Sequence, residues 1–101
     1  MARFGITKPL GNTKPEHVFD AAQVAFKNIG WEVYKMRSIA FLVEARITGE
    51  QGYVLANLIA TAFGTPEIKL TLKGDDASEE TLKNYADQIL QALENVLARK
   101  K

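Results

Sequence analysis

Apolar and polar side chains alternate with period two through the middle of the chain, from Trp31 to Lys73. The run Trp31-Glu32-Val33-Tyr34-Lys35 alternates. Ile39, Phe41, Val43, Ala45 and Ile47 interleave with Ala40, Leu42, Glu44, Arg46 and Thr48. Further on, Ile68, Leu70 and Leu72 interleave with Glu67, Lys69, Thr71 and Lys73. Period two with polar partners predicts strands that bury one face and leave the other wetter. On either side the period changes to helical. Val18, Ala22, Ala25, Phe26 and Ile29, with Phe19 beside them, predict a helix over 15–29. Thr13 and Glu16 are spaced as a capping box, Pro15 suits the first turn and Gly30 suits the end. Leu82, Tyr85, Ala86, Ile89, Leu90, Leu93, Val96 and Leu97 predict a second helix over 79–98, capped by Ser78 and preceded by acids that suit its positive end.

Residues 53–63 are ambiguous. Their Leu and Ala content favours helix. A register test favours strand. With Gly49-Glu50-Gln51-Gly52 as a hairpin loop, Ile47 faces Val54, Ala45 faces Ala56, Val43 faces Leu58, Phe41 faces Ala60 and Ile39 faces Ala62. All five pairs are apolar. A second loop at Gly64-Thr65-Pro66 then sets Ala62 against Ile68, Ala60 against Leu70 and Leu58 against Leu72. One register that yields apolar pairs across three strands argues against a helix. A third loop at Met36-Arg37-Ser38 places Trp31 opposite Val43 and Val33 opposite Phe41.

The expected fold is therefore α+β: a two-layer sandwich in the order helix, four-stranded antiparallel meander, helix (αββββα), with both helices on one sheet face. Ala45, Ala56, Ala60 and Ala62 would let the helices sit close. Residues 15–101 form the expected single domain. Residues 1–14 form an extension in which Phe4 and Ile6 suggest a short edge strand. The order helix, Gly30-Trp31, four strands, helix resembles in layout several small bacterial αββββα domains, including those of lipoproteins in outer-membrane assembly. No signature motif accompanies the resemblance, and no residue role is carried over from it.

Composition narrows the chemistry. The 101 residues carry 13 Lys+Arg and 12 Asp+Glu, a formal net charge of +1, which excludes a histone-like polycation. With no cysteine there is no disulfide, thiolate metal site or Cys nucleophile. No apolar run reaches the roughly 18 residues of a membrane helix. The first nine residues lack a signal-length apolar stretch, so the expected setting is the cytoplasm, or an exported protein with its signal removed. The single histidine, His17, would have to serve any Ser–His–acid triad with Ser38 or Ser78 and Glu16 or Asp20. An exposed helical histidine is the simpler reading. Asp75-Asp76-Ala77-Ser78-Glu79-Glu80 lacks EF-hand spacing and reads as acids at a helix start. No phosphate-binding glycine motif occurs, and no metal or cofactor is implied.

The second sheet face carries what is left. It is half apolar, with Leu42 opposed to Ile59 and with Tyr53, Leu55 and Phe63 towards its ends. Glu44 and Asn57 are cross-strand neighbours near Arg46 and Lys73, the pattern of a surface ion-pair ladder. Leu42, Tyr53, Leu55, Ile59 and Phe63 are thus candidates for an interface with a second copy or a protein partner. Two alternatives stand beside it. One is an apolar ligand held on this face, or between sheet and helices near Phe26, Trp31 and Phe41. The other, ranked lower, is a single-stranded nucleic-acid platform using aromatics beside Arg46, Lys69 and Lys73. An enzyme built on His17, Glu44 or Arg46 ranks last.

Overall fold

The structure, a computed structural model, describes residues 2–10, 13–38, 41–49, 52–61, 67–75 and 77–99. In chain order the elements are β1 (Ala2–Pro9), α1 (Pro15–Asn28), β2 (Glu32–Arg37), β3 (Leu42–Gly49), β4 (Gly52–Thr61), β5 (Glu67–Gly74) and α2 (Glu79–Arg99). The sheet has five antiparallel strands in the order β1-β5-β4-β3-β2. Five strands replace the expected four, and the chain opens with a strand rather than a helix. This also departs from the αββββα layout. The fifth strand is eight residues long and pairs along its whole length with β5, from Ala2↔Gly74 to Pro9↔Glu67. Its alternation of Phe4 and Ile6 with Arg3, Gly5 and Thr7 is the same period-two signal, confined to few residues.

Residues 53–61 lie in strand β4, as the register test expects, and β3 pairs with β4 in that register: Ile47↔Val54, Ala45↔Ala56 and Val43↔Leu58. The partner of β4 on its other side slips by two residues. Leu58 faces Leu70 and Ala60 faces Ile68, where Leu72 and Leu70 were expected. A shift of two keeps every side chain on its own face, so the apolar pattern fits both registers equally. The expected Ile39–Ala62 pair lies outside the described residues, and Ile68, expected opposite Ala62, faces Ala60 instead.

The β2 register also departs from expectation. Val33 pairs with Ala45, and Met36 and Arg37, expected in a loop, continue the strand opposite Val43 and Leu42. Trp31 is excluded from the ladder because its backbone belongs to the end of α1. Its N–H donates to Phe26 O at 2.8 Å and that of Gly30 to Lys27 O at 3.2 Å. Gly30 has φ +85°, so this is a Schellman stop, with the Trp31 and Phe26 rings 5.8 Å apart as its apolar contact. Between Val33 and Lys35 the register shifts by one, a bulge that places both Tyr34 and Lys35 against the single step from Ala45 to Glu44.

At its start, α1 has Lys14 as N-cap with no side-chain cap, not the Thr13–Glu16 box. Pro15 holds the preceding residue extended, so the first turn begins one residue later than the box requires. Ser78 caps α2 as expected, its Oγ accepting the Thr81 N–H at 3.1 Å.

Both helices cover one sheet face. Helix α1 packs on β2, β3 and β4, while α2 packs on β1, β5 and α1. Between them and the sheet, Val18, Phe26, Val43, Leu58, Leu70, Leu72, Leu82, Ile89 and Leu93 are fully buried. Each such side chain stabilises the fold by roughly 1.5–3 kcal/mol. Ala45, Ala56 and Ala60 of the sheet and Ala21, Ala22 and Ala25 of α1 are all buried, and small side chains let a helix lie close to a sheet. The space near Trp31 is filled by the Phe26 ring at 5.8 Å and the Tyr85 ring at 5.5 Å.

Candidate functional site

On the opposite face the sheet is bare of helices, and its side chains fall into rows set by register. One row runs Arg3, Lys73, Leu55, Arg46, Glu32. The next runs Gly5, Thr71, Asn57, Glu44, Lys35. A third runs Thr7, Lys69, Ile59, Leu42, Arg37. Across the first two rows lies a depression of about 330 Å³, to which all five strands contribute: Arg3, Tyr34, Glu44, Leu55, Ala56, Asn57, Thr71 and Lys73. That volume lies at the lower end of the range of about 300–1,000 Å³ typical of small-molecule sites.

The floor of this trough is polar and ordered. Asn57 Nδ2 donates to Glu44 Oε1 at 3.1 Å, and Lys35 Nζ lies 4.0 Å from Glu44 Oε2. Tyr34, next to Val33 in the alternation, falls on this side, where the Arg46 guanidinium lies 5.7 Å from its ring centre. Burial, and secondarily the Glu44 charge, push the Tyr34 phenol above its usual range, with Arg46 opposing. Arg46 Nε donates to Glu32 Oε2 at 2.9 Å. That hydrogen bond, reinforced by the charge it carries, holds the Glu32 carboxyl below its usual range and raises Arg46.

The five candidate interface residues are distributed unevenly. Leu42 and Ile59 are directly opposed, as expected, and half-buried. Tyr53 and Leu55 are 58% and 40% exposed. Phe63 lies outside the described residues. Between Leu55 and the Leu42–Ile59 pair lies the Asn57–Glu44 hydrogen bond with its flanking charges, the cross-strand pair expected there. Sequence reading passed over Arg3, which it assigned to an extension; its place in the Arg3-Phe4-Gly5-Ile6-Thr7 alternation was the available signal.

A smaller crevice of about 160 Å³ lies between the end of β1 and α2, against Leu10, Ile68, Leu90, Leu93 and Leu97. The residues considered for catalysis do not converge. His17 is exposed on α1, and Ser78 is committed to capping α2. Among the described residues no group of three or more His, Asp or Glu side chains is arranged to hold a metal ion. Among the described residues no helix is long and apolar enough to cross a membrane.

No protein-family model and no curated protein matches the chain. Among solved structures it is similar to the crystal structure of Ara h 8.0201, with a TM-score of 0.58 and 14% identity, covering 97% of this chain and 98% of that one. At that identity the likeness is one of fold alone.

Proposed function

We propose that this chain is a small-molecule-binding domain whose ligand lies in the trough on the open sheet face. The observation that carries the reading is the trough itself: about 330 Å³, lined from every strand, with Leu55 and Tyr34 as apolar surface beside the polar Arg3, Glu44, Asn57, Thr71 and Lys73. Small-molecule sites are usually mostly apolar, so this more polar lining calls for a ligand with polar groups of its own. The ligand is thereby amphipathic rather than purely apolar. Native mass spectrometry of freshly purified protein tests this. A retained adduct that disappears in Thr71→Trp, which fills the trough, is the expected result. A clean apo mass, with no small amphiphile able to shift the amide resonances of residues 55–57 and 71–73, would sink the idea.

Exposed Tyr53 and Leu55, on the same face as the half-buried Leu42 and Ile59, favour a second reading, self-association through this same face. Sedimentation of the wild type against Leu42→Glu and Ile59→Lys decides it. A wild type that stays monomeric at high micromolar concentration removes that reading.

A further inference from the structure

Arg3 and Lys73 are directly opposed across the β1–β5 ladder, and both line the trough. Like charges directly opposite one another destabilise a sheet, so this juxtaposition works against the fold. Elsewhere on the face, the carboxylates are matched. Glu32 is taken by Arg46 at 2.9 Å, Glu44 lies 4.0 Å from Lys35, and Glu67 lies 3.9 Å from Lys69. Each of these three carboxylates thus already has a cation. Among the described residues, neither Arg3 nor Lys73 has a carboxylate within 4.0 Å. Lys73 also stands beside Leu55, its partner on β4, and the neighbouring row offers Gly5, without a side chain, and the Thr71 hydroxyl.

From this juxtaposition we infer that the trough takes a small amphipathic anion. Its carboxylate or phosphate head lies between Arg3 and Lys73, and its apolar body runs over Leu55 towards Tyr34. This deepens the small-molecule reading and rests on it. The Arg3 guanidinium supplies a planar fork for two oxygens, and the Lys73 ammonium a point charge. An anion between them turns a repulsive pair into two attractions, which gives the pairing a reason that folding alone does not.

Three eight-carbon probes separate the possibilities: octanoate, octyl phosphate and 1-octanol, each titrated against the full chain by amide chemical shift at low salt. Both anions are expected to shift residues 55–57 and 71–73 and to bind at least about tenfold tighter than the alcohol. In the Arg3→Gln/Lys73→Gln double variant that preference falls to about onefold, with the resonance pattern otherwise retained. Lys73→Glu is expected to raise the thermal midpoint by pairing with Arg3 while abolishing anion binding, a combination that a purely structural role for Lys73 does not produce. If 1-octanol binds the trough as tightly as the anions, or if the double variant keeps the preference, the anion inference fails while the small-molecule reading stands. If none of the three probes shifts the trough amides, both fall.

Discussion

Asn57 donates its Nδ2–H to Glu44 Oε1 over 3.1 Å, and the two residues are directly opposed in the β3–β4 ladder. The bond satisfies a carboxylate that the surrounding face partly shields. Asn57→Ala is expected to cost about 0.5–1.5 kcal/mol. Asn57→Asp sets two carboxylates opposite each other and is expected to cost more. Urea unfolding measures both, and equal stability of all three proteins would show that the bond contributes nothing.

Tyr34 titrates above its ordinary value of 10.0, because of burial first and the Glu44 charge second. A raised phenol favours the neutral form in the folded state. Its contribution to stability is therefore present below pH 10.0 and is lost as pH rises through the folded value. Ultraviolet titration of phenolate, with Tyr34→Phe to assign the transition, is expected to show it moving down in Glu44→Gln. An unmoved transition would remove Glu44 from the account.

The sign is opposite for Glu32, held below its ordinary value of 4.5 by the hydrogen bond from Arg46. Its contribution is present above that value and is lost as pH falls through the folded one. Thermal unfolding is expected to separate wild type from Glu32→Gln slightly at neutral pH and low salt, and not at all well below pH 4.5 or in high salt. A gap that persists in acid would mean that Glu32 acts through packing.

Leu58 and Leu55 lie three residues apart on β4 but on opposite faces. Leu58 is fully buried against the helices, whereas Leu55 is 40% exposed in the trough. Leu58→Ala is expected to cost about 2–5 kcal/mol. Leu55→Ala is expected to change stability by about 0.5 kcal/mol or less while weakening ligand binding. Comparable losses in chemical denaturation would contradict the assignment of faces.

Trp31 is 3% exposed, yet its Nε1–H has no hydrogen-bond partner among the described residues. Such an orphan donor costs about 1–3 kcal/mol. Trp31→Phe removes it along with part of the packing against Phe26 and Tyr85. The two effects oppose each other, and a net loss of less than about 1.5 kcal/mol is expected, against about 3–5 for Trp31→Ala. Calorimetry on the pair checks the difference.

How much of this was legible beforehand depended on the kind of signal. Alternation sorts a strand residue to one face or the other, and that sorting held for Val43, Ala45, Val54, Ala56, Leu58 and Leu70. Helix ends were legible where local chemistry dictates them, at Gly30 and Ser78, and illegible at Thr13, where the constraint of Pro15 overrode a capping pattern. The open face was identified, together with the Leu42–Ile59 and Glu44–Asn57 pairs.

By itself, then, the chain determined its two helices, the strand character of 53–61 and which side chains turn away from the helices, because those depend on periods of two and 3.6 carried locally. Tertiary structure alone decided the two-residue slip between β4 and β5, the bulge at Tyr34 and the docking of β1 against β5. An even slip leaves the apolar pattern unchanged. The meeting of Arg3 with Lys73, seventy residues apart in sequence, exists only once those long-range pairings form. That is why the trough, and the opposed charges that line it, could not be read from the order of residues.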